Sequence, residues 1–392
     1  MTKRIFIFSW GYPSNQTKGN PFVEDAVHMA HENGVFTTVI IFQFKNILEF
    51  FVPYKKHLTY TSKRGENIIS IPLYNIPFVS TLIRKKIMFW QVVFRMKSLM
   101  KKIGKPDLLQ QHYIFHSMPY ITNLIATKFK IPYVLFEHSP VYSPQHFETK
   151  YKTFCQPYFS KEDFQAFIKN AHGRFAYKVQ IETLSGYYGQ SFKPFDGFLP
   201  DYLLQNESGT EESTDQKPFN FLCIGTLDDR KGTLRLIEAF SKIPQRQKCH
   251  LTFCGSGPYL NKAKELIEKF ELKSNVTITG FIPRSSVIEQ LKKSDFLVIA
   301  SSYETFGMTC IEAMAYGIPV LSTKCGGPET IINPSVGILC EKDNITSLSQ
   351  ALQQAFDQKE NFSPQTIQQH FKTYYSEESA WRNMREIYDS IS

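Results

Sequence analysis

Residues Phe296–Ser322 read FLVIASSYETFGMTCIEAMAYGIPVLS. An apolar run, Phe296 to Ala300, is followed by a polar loop, by small and apolar residues from Thr309 to Tyr316, and by a second apolar run, Pro319 to Ser322. A short continuous apolar run is the pattern of a strand buried on both faces, and Gly317 after the helical stretch supplies a stop. Strand, helix and strand within 27 residues leave room only for a crossover, so the two strands are expected to pair in parallel.

The same alternation extends outward. Upstream come Phe219–Ile224 as strand, Lys231–Ser241 as helix, Leu251–Cys254 as strand, Tyr259–Phe270 as helix, Val276–Thr279 as strand and Ser285–Lys293 as helix; downstream, Gly337–Cys340 reads as a further strand. A second series lies nearer the N-terminus. It runs through Arg4–Ser9 (strand), Pro21–Glu32 (helix, stopped by Asn33-Gly34), Val35–Phe42 (strand), Asp107–His112 (strand), Pro119–Phe129 (helix) and Tyr133–Phe136 (strand). Two doubly wound α/β domains in tandem are therefore expected, residues 1–200 and 218–376, joined by the polar stretch 201–217. A last helix, 377–392, carries Trp381, Met384, Ile387 and Tyr388 on one face, and is expected to pack back on the first domain. Ligands of such sheets bind beyond the carboxyl ends of the strands, so the loops near Ser9, Glu137, Gly225, Gly255, Gly280 and Ser301 are where chemistry is sought.

The chain of 392 residues is 42% hydrophobic and 15% aromatic, which excludes a disordered chain. Seven cysteines form no C-x-x-C pair, which speaks against a disulfide framework or zinc site; with no export signal in the first residues, a cytoplasmic location is expected. Charge is divided unevenly: residues 1–200 hold 25 Lys/Arg against 12 Asp/Glu, and residues 201–392 hold 20 against 24. Within Ile76–Lys105, eight basic residues including Arg84, Lys85 and Lys86 interleave with Trp90, Phe94 and other apolar side chains, without one acid. Two readings stand open for that helix, an amphipathic element on an anionic membrane surface or a core helix with a basic outer face. Nucleic acid is not expected as a partner, since no recognition module is present and the C-terminal half is acidic.

The loop Ser301–Glu312 carries two carboxylates, Glu304 and Glu312, with seven residues between them. Gly307 permits a tight entry into the following helix, so amides from Phe306, Gly307, Met308 and Thr309 stand at a helix N-terminus, where the dipole favours a phosphate. Glu304 and Glu312 flank that end and can accept hydrogen bonds from the hydroxyls of a hexose and a ribose, an arrangement that suits a sugar nucleotide. An unpaired Glu312 in the apolar run Cys310–Ala315 would be costly, which favours a function for it.

These motifs resemble the retaining GT-B glycosyltransferases of family 4. The E-x7-E pair Glu304/Glu312, the Gly317-Ile318-Pro319-Val320 segment and the Gly326-Gly327-Pro328-Glu329 turn carry the likeness over about 120 residues. The resemblance implies two Rossmann-like domains facing a cleft, with Glu304 on the transferred sugar, Glu312 on the ribose and the amides after Gly307 on the distal phosphate. Gly225-Thr226-Leu227-Asp228-Asp229-Arg230-Lys231-Gly232 resembles the loop whose Lys neutralises the leaving diphosphate, which falls on Lys231; the family's usual Arg is Thr226 here, and Arg230 is the candidate replacement. Gly280-Phe281-Ile282 resembles the turn whose backbone meets the nucleobase, Gly19 is what remains of the family's glycine pair before the first helix, and His138 resembles the strand-end histidine facing the donor sugar. His112 and His116 are read as structural. Pro200-Asp201 stands where the family has Pro-Asn-Gly.

No D-x-D motif is present, so Lys231, Arg230 and the helix amides are expected to do the work of a metal, and no cofactor is expected. The function implied is transfer of a hexose from a nucleotide diphosphate sugar to a glycan or lipid-linked acceptor of surface polysaccharide or glycolipid, by an enzyme peripheral to the inner membrane face. The alternatives are a nucleotide-sugar epimerase or phosphorylase of the same fold, and a non-catalytic sugar-nucleotide-binding subunit.

Overall fold

The computed structural model describes residues 3–9, 21–46, 58–61, 66–75, 80–113, 118–138, 160–204 and 217–391. They fall into two compact units, Met1–Phe195 with Trp381–Ser392, and Asp196–Ala380. The second unit thus begins ahead of the stretch read as a linker. Leu199, buried, donates its amide to the Tyr375 carbonyl and so ties 196–204 to that unit. Residues 205–216 of the linker lie outside the described residues.

The first unit contains strands β1 (Arg4–Ser9), β2 (Phe36–Asn46), β3 (Leu58–Thr61), β4 (Asn67–Asn75), β5 (Leu108–His112), β6 (Tyr133–Glu137), β7 (Gly173–Ala176) and β8 (Lys193–Pro194). They form one sheet in the order β3-β4-β2-β1-β5-β6-β7-β8, parallel except where β3 runs against β4. Strand β1 shows why its sequence is apolar throughout. Phe6 and Phe8 enter a cluster with Met88, Val92 and Met96, while Ile5 and Ile7 enter another on the opposite face with Val23, Val27 and Tyr388. A parallel strand covered on both faces has no solvent side on which to place polar residues. The first strand pairs its end residue Ser9 with His112, and His112 in turn with Phe136, which brings the carboxyl ends of β1, β5 and β6 level.

The C-terminal helix, Glu377–Asp389, crosses this second face, with Trp381, Met384 and Ile387 packed against the cluster that holds Tyr388. Its apolar stripe is the reason residues 381–392 belong to the first unit.

Helix Thr81–Ile103 has one face in the core and a second face in solvent. Met88, Val92, Val93, Met96 and Leu99 are buried, while Ile83, Trp90 and Phe94 remain 48%, 69% and 75% exposed. Lys86, Lys97 and Lys101 lie in the exposed stripe with them at spacings of three and four, the repeat of one helix face. Lys85 departs from the basic surface set: it pairs with Asp163, whose helix Lys161–Asn170 starts in a Ser160/Asp163 capping box. No helix among the described residues is long and apolar enough to cross a membrane.

In the second unit, strands β9 (Phe219–Ile224), β10 (Cys249–Cys254), β11 (Val276–Gly280), β12 (Phe296–Ile299), β13 (Val320–Thr323) and β14 (Gly337–Cys340) pair in parallel in the order β11-β10-β9-β12-β13-β14. The chain winds outward one way from β9 and the other way from β12, so the topological switch point lies between them. Phe221, Leu236, Phe240, Phe253, Phe296 and Leu352 fill the core beneath. One boundary differs from the sequence expectation. The helix expected from Lys231 starts at Thr233 instead, because Gly232 holds φ +69° and Asp228 Oδ1 accepts the Lys231 amide at 2.7 Å. A Cβ on Gly232 would stand 2.0 Å from the Ala300 carbonyl oxygen, so only glycine fits there.

Candidate active site

The loops leaving β9 and β12 meet at the switch point of the second unit. Ser302 donates its amide to the Arg230 carbonyl at 2.8 Å, which locks the two loops together. Lys231, held in the turn before its helix, places Nζ 2.6 Å from Glu304 Oε1. Arg230 Nη1 donates to the Tyr303 carbonyl at 3.2 Å and lies 3.4 Å from the same carboxylate oxygen. Ser301 Oγ donates to Glu304 Oε1 at 2.7 Å. The backbone of Glu304 is fixed as firmly: its amide donates to the Cys325 carbonyl and its carbonyl accepts from Gly327, both at 2.8 Å. A carboxylate that accepts from an ammonium, a guanidinium and a hydroxyl is held in one orientation, and its two cations are held beside one another.

Three thiols stand close to this cluster. Burial pushes the Cys223 thiol up to about 12, holds Cys310 well above its ordinary value, and takes Cys325 up to about 11. Each therefore stays protonated at neutral pH and is no nucleophile.

Next to Glu304, the chain turns at Gly307 (φ +100°) into helix Met308–Ala315, and no side chain caps the amides at its start. Those donors are what an anion would need. The Phe306 side chain is not part of the site. It is buried edge-on against Tyr375, with ring centroids 6.0 Å apart, so only its backbone is available to a ligand. Gly225, at φ +142°, lies under the Lys231 side chain, and its amide bonds to the Cys254 carbonyl at 3.1 Å. Gly225, Gly255 and Gly280 approach one another closely: a Cβ on Gly255 would stand 1.8 Å from the Gly225 carbonyl oxygen, and Gly255 bridges to Gly280.

Glu312 projects from the second turn of this helix with 16% of its side chain exposed, and Arg284 Nη1 binds its Oε1 at 2.9 Å. Sequence reading missed Arg284, which begins the helix Arg284–Lys292 just after Phe281, Ile282 and Pro283. The pair answers the desolvation argument for Glu312: the carboxylate has a guanidinium partner supplied from another element. Phe281 is 90% exposed at the end of β11, an unusual placement for a phenyl ring.

In the first unit, His138 follows β6. Its Nε2 lies 2.8 Å from His112 Nδ1, and its Nδ1 lies 3.5 Å from the Tyr177 hydroxyl. Phe195 and Tyr177 meet the ring edge-on at 5.1 and 5.9 Å. Burial in this aromatic nest pushes His138 down to about 3 and holds His112 well below its ordinary value, with the neighbouring His138 adding to the effect on His112. Both imidazoles are neutral at pH 7. His138 is thus equipped to donate or accept one hydrogen bond, not to present a positive charge. Gly19 and His116 lie outside the described residues. Among the described residues no group of three or more His, Cys, Asp or Glu is placed to hold a metal ion.

Residues 205–371 match the family described as Glycosyl transferases group 1. The second unit carries a glycosyltransferase group 1 domain. Over 126 residues the chain is 32% identical to N-acetyl-alpha-D-glucosaminyl L-malate synthase of Bacillus anthracis, a stretch covering 32% of each protein. Over 102 residues it is 33% identical to alpha-monoglucosyldiacylglycerol synthase of Streptococcus pneumoniae, covering 26% of this chain and 23% of that one. These matches span about a third or less of the relatives' own length. The structure of Anabaena HepE in complex with UDP aligns with 99% of this chain and 100% of its own at a TM-score of 0.70 and 15% identity. That likeness establishes the fold, the GT-B type with two Rossmann-like domains, and the group 1 domain coincides with the unit that holds Glu304, Lys231, Arg230 and Glu312.

Proposed function

We propose that this chain is a retaining glycosyltransferase of the family 4 type, which moves a hexose from a nucleotide diphosphate sugar to a glycan or lipid-linked acceptor in surface polysaccharide or glycolipid synthesis. The observation that carries the reading is the cluster at the switch point. Glu304 holds Lys231 at 2.6 Å and Arg230 at 3.4 Å beside the uncapped start of helix Met308–Ala315. When a diphosphate enters, Lys231, Arg230 and the helix amides neutralise the charge that grows on it as the sugar–phosphate bond breaks, and Glu304 is released to the sugar hydroxyls. Lys231 and Arg230 supply the positive charge that Thr226 does not, so catalysis proceeds without a bound metal. Glu312 takes the ribose, the Gly280-Phe281-Ile282 turn the base, and His138 the transferred sugar. The acceptor oxygen forms its bond to the anomeric carbon on the face the phosphate leaves, and its proton passes to that phosphate.

The exposed stripe Ile83, Lys86, Trp90, Phe94, Lys97 and Lys101 supports a peripheral, cytoplasmic enzyme docked on an anionic leaflet. Each basic side chain near such a surface contributes about 1 kcal/mol, and the two aromatic rings insert at the headgroup boundary. Alpha-monoglucosyldiacylglycerol synthase, a relative named for a lipid product, agrees with a lipid-linked acceptor.

The test is a transfer assay with radiolabelled UDP-, GDP- and ADP-hexoses against lipid-linked acceptors, after a thermal-shift panel of the three nucleotides has picked the base. Glu304→Ala should abolish transfer while leaving nucleotide binding largely intact; unchanged transfer would remove the proposed mechanism. Release or isomerisation of the sugar at full rate without acceptor would point instead to an epimerase. For the membrane, flotation with phosphatidylglycerol vesicles should fail for a Trp90→Ser, Phe94→Ser variant, and equal flotation of variant and parent would overturn that part.

A further inference from the structure

A single file of hydrogen bonds runs from the C-terminal helix to His138, and every member belongs to the first unit. Tyr388, 3% exposed, donates its hydroxyl to Gln110 Oε1 at 2.8 Å. With its oxygen so engaged, the Gln110 amide presents Nε2 to His112 Nε2, also at 2.8 Å. An amide nitrogen can only donate, so His112 Nε2 accepts and its proton sits on Nδ1. His112 Nδ1 lies 2.8 Å from His138 Nε2, and the ring centroids are 5.1 Å apart, a separation that sets the two nitrogens end to end. His138 Nε2 is therefore an acceptor, and the proton of this second neutral ring is on Nδ1, the edge that faces the Tyr177 hydroxyl at 3.5 Å. That contact is long, so a ligand oxygen of better geometry would capture the proton.

We infer that Tyr388 is a positioning residue for the transfer reaction: through Gln110 and His112 it selects the Nδ1–H tautomer of His138, so that His138 meets the donor as a hydrogen-bond donor to a sugar hydroxyl and not as a base. The inference rests on the reading of His138 as a contact of the transferred sugar. Nothing in the local sequence around His138 contains it, because the tyrosine that sets the order of donors lies 278 positions from Gln110. A file of groups that can each donate or accept has two self-consistent senses, and a phenol, a better donor than acceptor, favours the sense in which Tyr388 donates to the Gln110 oxygen.

The experiment is side-chain nitrogen–proton correlation spectroscopy of nitrogen-15-labelled full-length protein. In the parent, His138 and His112 should both show a protonated Nδ1 and a bare Nε2. Tyr388→Phe keeps the packed ring and removes only the hydroxyl; the Gln110 amide is then free to turn, and both rings should become tautomer mixtures. Gln110→Glu offers only acceptors to His112 and should invert both rings to Nε2–H. In transfer assays Tyr388→Phe should lower kcat about tenfold, the usual cost of losing an outer partner that orients a histidine, with the KM for donor changed less than twofold. A bare Nδ1 on His138 in the parent, or tautomers unmoved in a folded Tyr388→Phe variant, would overturn the relay. Full transfer by His138→Asn would overturn the functional reading on which it rests, and leaves the spectroscopic result standing, so the two failures are told apart.

Discussion

In the second unit, Glu304 keeps 14% of its side chain in solvent and sits between an ammonium at 2.6 Å and a guanidinium at 3.4 Å, whereas in the first unit His112 and His138 share a 2.8 Å hydrogen bond inside an aromatic nest and stay neutral. Both sites lie at the carboxyl ends of parallel strands, and the difference comes from what surrounds them. The loops of β9 and β12 are polar and tied by backbone bonds, and the charged side chains they bring together hold one another. The ends of β5 and β6 are walled by Phe136, Phe195 and Tyr177, so an added charge would be stripped of water and the rings give it up. One site is thereby suited to an anion and the other to the hydroxyls of an uncharged group.

The largest effect that would test this contrast is at Lys231. Lys231→Ala should lower kcat by about 10² to 10³, the loss typical of one charge-stabilising donor, with thermal stability nearly unchanged; a change below tenfold would mean that charge at this switch point is not used in the reaction.

The histidine pair should announce itself in stability as pH falls. Its folded values lie below the ordinary 6.5, His138 at about 3, so the unfolded chain takes up protons that the folded chain refuses. The contribution is complete above pH 6.5 and is lost as pH drops toward 3, with a slope of up to about 1.4 kcal/mol per pH unit for each ring. Urea midpoints measured between pH 7 and 5 should fall in the parent and fall less in a His112→Asn, His138→Asn variant; parallel curves would show that the rings are not held neutral.

Gly307→Ala forces a side chain onto φ +100° and brings its Cβ to 3.2 Å from Cys310 Sγ. A left-handed residue costs about 1 to 2 kcal/mol, and chemical denaturation should report that loss together with weaker diphosphate binding. The smallest effect belongs to the Arg284–Glu312 pair. Arg284 is 46% exposed, so Arg284→Ala should cost no more than about 1 kcal/mol of stability by the same measurement. A larger loss would place this pair with the buried site and not with the hydrated one.

What could be read from residues alone was whatever is local along the chain. Continuous apolar runs and intervening helices identified β1, β9 and β14 to the residue, because a strand covered on both faces has no choice of composition. The uncapped helix start beside Glu304 was equally legible, since Glu304, Gly307 and the start of helix Met308–Ala315 fall within one loop. The partners of those groups were not. Lys231 and Glu304 stand 73 positions apart, Arg284 and Glu312 28 apart, and Tyr388 and Gln110 278 apart. Sequence determined that two largely parallel α/β sheets would form, through the burial demands of each short segment. Only the folded chain decided that Glu312 meets Arg284, that Tyr388 of the C-terminal helix meets Gln110, and with it the sense of the hydrogen bonds that lead to His138. Those outcomes depend on contacts made when distant segments are packed together, and a hydrogen bond takes its direction from both of its partners.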